Sequence, residues 1–596
     1  MKVNIIHHDK SHNMMTDAEN LSYIFKRLKE KPKVNHVHIN SFKIEEASVN
    51  IFLENINLYH SSKAKYNIFI PNQQYFHKNW IETCQSFDLI LCKTNYCYEI
   101  FKEFIDEEKL LFIGWRSPNI IIPSIEKDFD EWLVVYNDIF SNDLQKLLNV
   151  WKQDYPSLNI VFNGIQKNSL KRINLPNINY IENIQPEKFE LLFNKCIIHL
   201  CLDEIDCFNH NVNQCQLVKS VPVVLNKGPV CEVADPENTF KVSSNKKRYR
   251  EGMGSIYKYT QSDLEDTLQK IFNLSEKTLE IMGENCYQFS EKKQHIFVDR
   301  FTKKLNEIFL ETKKIKFNKK EYTDEDMPAL SIITPVNNLK DIFKICVLNY
   351  TSSSYDKKKI EWVIVDDSDE NEDIEHLLPS EENRKRFNIN YIRLNEKTNY
   401  GKKLNTGIEQ STNDCILIMN QDDFFYQNGF YNRVKELLKS EKKCVGMIQY
   451  GCFEINKYIS IINTNSIILK YSERIYNGSL CFYKTFWDES RFGEGEDSEL
   501  NDFFRNRIEY YGEIINKNIF VGLIHTRNEH LRQINVKEPN GCHFNFSEKL
   551  FKYVCSLDDV RKQQKIDREK EMEEIRNNAD NENKNENENE SEIKEI

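Results

Sequence analysis

Runs of consecutive apolar residues recur through most of the chain, separated by longer stretches in which apolar positions return at helical spacing. In the first half these runs are VNII (3–6), YNIFI (66–70), DLILC (88–92), WLVVY (132–136), NIVFN (159–163), IIHLC (197–201) and VPVVL (221–225). Their apolar character is continuous rather than alternating, the pattern of strands buried on both faces of a parallel sheet. Helical patterning over 262–309 closes this series, and a break around 122–130 divides it into two doubly wound halves, 1–125 and 126–312. A charged, poorly periodic stretch, KKIKFNKKEYTDEDM (313–327), predicts a linker over 313–328. The alternation resumes with LSIIT (330–334), WVIVDD (362–367), INYIRL (389–394), CILIM (415–419) and VGMIQY (445–450), so another α/β domain is expected over 329–557. From 558 the chain becomes a solvated, charged helix followed by NNADNENKNENENESEIKEI (577–596), whose low complexity predicts disorder.

Composition narrows this picture by exclusion. A length of 596 residues leaves room for about three or four domains. The 40% hydrophobic and 29% charged shares belong to a globular protein with material for several cores. No apolar run approaches the ~18 residues of a membrane span, and MKVNIIHHDK turns polar too soon for a secretory signal, so a cytoplasmic protein without a transmembrane segment is expected. The 16 cysteines are scattered, with no CxxC pair and no zinc-type spacing, and read as reduced, buried thiols. Of the net charge of −11, residues 571–596 contribute −7 through ten acidic and three basic side chains. No basic stripe remains for nucleic acid, and nothing fixes an oligomeric state.

The sharpest local feature follows CILIM, where Asn420, Gln421, Asp422 and Asp423 end a buried run and Phe424 and Phe425 resume it. Carboxylates gathered at the C-terminal end of a sheet repel each other unless a cation or hydrogen bonds offset them. A divalent cation holding a substrate diphosphate meets that need, and a plain acidic turn after a strand is the bland alternative. EWVIVDDSDE places Asp366 and Asp367 after another buried strand. Open α/β sheets bind ligands at such positions, and an aspartate or Ser368 can equally cap a helix there. In NYGKKLNTG, Gly401 and Gly407 permit close backbone approach, while Lys402 or Lys403 can face phosphate. RFGEGEDSELNDFFRNR collects Glu496 and Asp497 at a helix start, where the macrodipole favours acids and where a carboxylate can also serve as general base.

Taken in order, SIITPVNN (331–338), EWVIVDDSDE (361–370), NYGKKLNTGIEQSTNDCILIMNQDD (399–423) and RFGEGEDSELNDFFRNR (491–507) resemble an inverting family 2 glycosyltransferase of the GT-A fold, over 329 to about 531. The resemblance implies a nucleotide-diphosphate-sugar donor, a glycan, protein or small-molecule hydroxyl acceptor, and Mn2+ or Mg2+. It places Pro335 at the edge of the nucleotide, one of Asp366 and Asp367 on the base, and Lys402, Lys403 and Asn405 on the donor side. It gives Asp422 the cation, Asp423 its orientation, and His525 in GLIHTRNEH a place near the metal or the diphosphate. Asp497 becomes the general base, with Glu496 beside it raising its basicity. The family's tetrad is D-x-D-D, and Asn420 stands in its first place, so lower metal affinity is expected.

The first 312 residues are similar to a GT-B glycosyltransferase, two facing Rossmann-like domains. NMMTDAENLSYIFKRL (13–28) looks like its opening helix with Met14 and Met15 in the glycine region. HLCLDEIDCFNHNVNQCQLVKSVPVVL resembles its donor site: Glu204, His210 and Asn213 fit, Gln214 replaces the ribose-binding glutamate and Cys207 replaces a glycine. The fold class expected is therefore α/β, a GT-B-like pair joined to a GT-A domain, and the activity expected is metal-assisted, inverting hexosyl transfer by the C-terminal half. A sugar-binding or assembly protein without turnover, and a nucleotidyltransferase, are the alternatives. Abundant Lys, Asn and Ile with only 17 Gly resemble the style of large DNA virus proteins.

Overall fold

A computed structural model describes residues 1–558 except 9–11, 42, 138–140, 164–169, 205–207, 249–251, 316–319, 467, 496–498, 516–517, 527–543 and 545, together with 563, 567 and 570. The chain divides into two compact units, Met1–Phe317 and Asn318–Ile596.

Unit 1 holds two six-stranded sheets in which every neighbouring pair is parallel. The first contains β1 (Lys2–His7), β2 (Lys33–His38), β3 (Ala47–Leu53), β4 (Ala64–Ile70), β5 (Leu89–Cys92) and β6 (Leu110–Phe112), in the order β2-β1-β3-β4-β5-β6. The second contains β7 (Asp128–Asn137), β8 (Ser157–Asn163), β9 (Ile178–Ile181), β10 (Cys196–Cys201), β11 (Val221–Leu225) and β12 (Phe240–Val242), in the order β12-β11-β10-β7-β8-β9. Strands β5, β10 and β11 are buried along their whole length, as continuous apolar runs covered on both faces should be. A hairpin, β13 (Asn245–Arg248) and β14 (Ser255–Lys258), follows. The helical stretch is two helices, Gln261–Phe272 and Glu276–Lys314, because Ser275 caps the second by accepting from the Thr278 N–H. Leu279 at the start of the long helix packs in the core of the second sheet, while Phe297, Phe301 and Leu305 pack in the core of the first.

Unit 2 is built on a seven-stranded mixed sheet of order β17-β16-β15-β18-β23-β20-β24. Its strands are β15 (Leu330–Val336), β16 (Ile360–Asp366), β17 (Ile389–Arg393), β18 (Cys415–Ile418), β20 (Cys444–Met447), β23 (Tyr476–Tyr483) and β24 (Tyr511–Glu513). The four strands β17, β16, β15 and β18 are parallel, and β23 runs antiparallel to β18 and β20. A second sheet, β19-β25-β21-β22, combines β19 (Asp423–Phe425), β21 (Gln449–Glu454), β22 (Ile459–Thr464) and β25 (Phe520–Ile524). The run VGMIQY, expected as one strand, is shared between β20 and β21 of different sheets. Trp362, nearly fully buried, anchors the parallel half: Tyr350 stacks on its ring and its Nε1 donates to Thr334 Oγ1 at 2.9 Å. The chain leaves β15 on one side for β16 and returns on the other as β18, so the C-terminal ends of β15 and β18 border the crevice that such a reversal opens. No helix among the described residues is long and apolar enough to cross a membrane, and every described cysteine is a free thiol.

Candidate active site

The rim of that crevice is tied together strand by strand. Pro335 lies within β15, in register with Val365 of β16. Beyond β15, the Asn337 N–H donates to Gln421 Oε1 and Gln421 Nε2 donates back to the Asn337 carbonyl, both at 3.0 Å, which locks the exits of β15 and β18 to each other. Asn338 turns the chain in a left-handed conformation, φ 48°, and accepts from the Asp369 N–H at 2.7 Å. Asp366, the last residue of β16, is fully buried. Its carboxylate accepts from the Tyr391 hydroxyl at 2.8 Å and the Ser368 N–H at 2.8 Å, and pairs with Arg393 at 3.0 Å. Asp367 pairs with buried Lys403 at 2.9 Å and accepts from the Thr398 N–H at 2.9 Å. Each member of this acidic pair thus has its own cation, and the desolvation cost of two adjacent carboxylates is met locally.

Lys403 sits on the helix Tyr400–Gln410, which Asn399 caps. Lys402 is exposed, whereas Lys403 is turned inward. Asn405 is buried and clamps the chain that precedes the helix Glu499–Phe503: its Nδ2 donates to the Phe492 carbonyl at 3.0 Å and Glu494 Oε1 at 2.8 Å, and its Oδ1 accepts from Trp487 Nε1 at 2.8 Å. Gly401 carries the same contact, since a Cβ there would stand 1.9 Å from the Gly493 carbonyl oxygen.

After β18, Asn420 accepts from the Tyr400 hydroxyl at 2.6 Å and donates to the Tyr476 hydroxyl at 2.8 Å. The Tyr476 hydroxyl in turn donates to Asp423 Oδ2 at 2.6 Å. Asp423 is fully buried and opens β19, opposite Gly522 of β25. Asp422 is partly exposed, and its Oδ2 lies 3.7 Å from Nε2 of His525, the residue that follows β25. Among the described residues no group of three or more His, Cys, Asp or Glu is arranged to hold a metal ion. Asp422 and His525 form a two-donor pair at the crevice, and such a pair suits a divalent cation whose remaining ligands are water and substrate phosphate.

Glu496 and Asp497 lie outside the described residues. Their neighbours on both sides are placed: Glu494 by Asn405, and Glu499, which begins the helix Glu499–Phe503, by Asn477 Nδ2 at 2.7 Å. Asn477 Oδ1 is itself 3.4 Å from Asn420 Nδ2. Burial and then the negative charges of Glu499, Asp423 and Asp422 push the Tyr400 hydroxyl well above the ordinary tyrosine range. Tyr400, Tyr476 and Glu499 were not singled out by sequence reasoning, because their partners are 20 to 56 positions away. Glu499 alone left a signal, two residues after the Glu496–Asp497 pair in an acidic helix start.

In unit 1, Glu204 is buried between Lys146, at 3.0 Å, and Lys258. His210 has Nε2 3.0 Å from Asp17 Oδ1 and Nδ1 2.9 Å from Ser117 Oγ. Asn213 donates to Ser290 Oγ at 2.6 Å and accepts from the Ser117 N–H at 3.0 Å. Gln214, on the helix His210–Leu217, is half-buried. Asp17 joins this network to Lys93: burial alone would raise its pKa, but the charges of Lys93 and His210 outweigh it and hold the carboxyl down to about 2. Three of the four candidate donor-site residues therefore have internal partners.

The family described as Glycosyl transferase family 2 matches residues 331–487. Unit 2 thus carries a family 2 glycosyltransferase domain that includes β15, β16, β18 and the acids at their ends. No curated protein sequence matches the chain. Among solved structures, a glycosyltransferase from Rickettsia africae is similar at 12% identity, over 53% of this chain and 99% of that one, with a TM-score of 0.39. A mannosyltransferase from Pyrobaculum calidifontis, in complex with GDP-Man and Mn2+, is similar at 14% identity over 35% of this chain, with a TM-score of 0.27, and the match spans 60% of that protein's length. A pneumococcal O-GlcNAc transferase in complex with UDP and GlcNAc is similar at 10% identity, over 45% of this chain and 58% of that one, with a TM-score of 0.35.

Proposed function

We infer that unit 2 transfers a sugar from a nucleotide-diphosphate donor to a hydroxyl acceptor, with inversion and with the help of Mn2+ or Mg2+. The observation that carries this reading is the hydrogen-bonded convergence on Asn420, which joins Tyr400 and, through Tyr476, Asp423, and which lies beside the Asn477–Glu499 bond and the Asp422–His525 pair, at the reversal point of the sheet and within or beside the segment matched to the family. The nucleoside is assigned to the Pro335, Asp366 and Asp367 rim, with exposed Lys402 on the diphosphate side. Asp422 and His525 would hold the cation, which when bound supplies positive charge beside the departing diphosphate. Asp497, carried between two anchored glutamates, takes the proton of the acceptor hydroxyl as it attacks the anomeric carbon, and Glu496 beside it favours the proton-accepting role.

Thermal shift against a panel of nucleotide sugars identifies the donor, since a ligand stabilises only the fold it binds. NMR of the product then reads the anomeric configuration. Inversion together with loss of turnover in Asp497→Ala supports the reading, and retention overturns it. A second reading, donor binding without turnover, draws on Asn420 in place of a carboxylate and predicts stabilisation by the donor with no release of nucleoside diphosphate.

A further inference from the structure

A third acid at position 420 would share one small space with Asp422 and Asp423. The observed side chain does something a carboxylate cannot: it accepts at one end and donates at the other. Oδ1 takes the Tyr400 proton, and Nδ2 donates to the oxygen of Tyr476, leaving the single Tyr476 proton for Asp423. The Tyr476 ring packs in a three-ring cluster with Tyr450, centroids 4.4 Å apart, and Phe520, 5.3 Å apart. Gly478 makes the approach possible, since a Cβ there would stand 2.7 Å from Asn420 Nδ2 and 2.8 Å from Asp423 Oδ2. Fully buried Arg433 lies nearby, its Nη1 donating to the Ile418 and Gly478 carbonyls, both at 2.9 Å.

We propose that Asn420 is a positioning residue, the hub of a hydrogen-bonded relay Tyr400–Asn420–Tyr476–Asp423 that holds Asp423 in place without a cation. Asp422 and His525, rather than a preformed carboxylate cage, would then hold a cation together with the donor diphosphate. This rests on the glycosyltransferase reading only for the identity of the donor. An aspartate at 420 would keep the Tyr400 bond, lose the donation to Tyr476, and set two carboxylates competing for one hydroxyl proton.

The test melts the full-length protein with and without Mn2+, in the absence of nucleotide. The native protein is expected to move by less than about 1 °C on adding Mn2+. Asn420→Asp is expected to melt about 3–6 °C lower without metal and to recover when Mn2+ is added. A native protein that gains as much from Mn2+ as the variant does, or a metal-free Asn420→Asp that melts with the native protein, overturns the proposal. Tyr476→Phe keeps the stacked ring and serves should Asn420→Asp fail to fold. It is expected to melt lower and to lose about tenfold in kcat for donor hydrolysis with the donor KM unchanged, and an unaltered melting point and kcat overturn the relay. Absence of donor hydrolysis in every protein would remove the transferase reading while the melting results still decide the relay.

Discussion

Replacing Gly401 by alanine probes whether the chain before the helix Glu499–Phe503 must stay seated on the helix Tyr400–Gln410. A Cβ at 401 would stand 1.9 Å from the Gly493 carbonyl oxygen, 3.0 Å from the Gly493 carbonyl carbon and 3.3 Å from Cβ of Glu499. The obstacle is backbone, which cannot rotate away as a flexible side chain would. Contacts of a Cβ closer than 3.0 Å essentially do not occur, so the Gly493 backbone has to retreat by about 1.1 Å, a displacement at which a misplaced catalytic group costs on the order of 100-fold in rate. That factor corresponds to about 2.7 kcal/mol of barrier. Asp366 and Asp367 on the nucleoside rim have other partners, so donor affinity should stay within about twofold of native. Steady-state release of nucleoside diphosphate gives kcat, and titration of the donor by thermal shift gives affinity. A kcat close to native, or equal losses in kcat and donor affinity, would refute the view that this contact positions the acceptor side.

Other perturbations address the rest of the structure. Lys403→Met leaves Asp367 buried without its cation and should cost about 3–5 kcal/mol, seen as a lower melting point together with weaker donor binding. Asp17→Asn likewise strands Lys93 inside unit 1 and should lower the urea midpoint read by tryptophan emission. Because the folded pKa of Asp17 is depressed from 3.8 to about 2, its stabilisation is fully present above 3.8 and is lost as pH falls towards 2; the gap between native and Asp17→Asn midpoints should close over that interval. Gln214→Ala in unit 1 should leave nucleoside diphosphate release within about twofold of native, since turnover is assigned to unit 2.

The sheets were readable where burial on both faces writes itself as an unbroken apolar run. Strands β1, β4, β5, β7, β8, β10 and β11 all announced themselves in this way, as did β15, β16 and β18, while β17 was expected from INYIRL although it is a partly exposed edge strand. Strand β2, KVNHVH, did not, because it is a half-exposed edge strand rich in polar residues. Strand β3 hides a buried Asn50 whose amide is satisfied by Asn4 at 2.9 Å and by the His60 carbonyl at 2.7 Å, pairings that no local pattern reveals. Strands β6, β9 and β12 are only three or four residues long. In the candidate site the acids themselves were legible as breaks in apolar runs. What holds them was not: Tyr400, Asn420 and Tyr476 meet only because β18, β23 and one helix converge, and Lys403, expected to be able to face phosphate, is drawn inward by Asp367.

The central claim is that Asp422 serves turnover of a nucleotide-sugar donor through a divalent cation. Nucleoside diphosphate release should be compared in native protein and Asp422→Ala, each with donor and Mn2+ and again with a chelator. Turnover is expected in native protein with Mn2+, with its loss on chelation, and a loss of at least about 100-fold is expected in Asp422→Ala with Mn2+, with little further change on chelation. Native turnover that survives chelation and is matched by Asp422→Ala would contradict it.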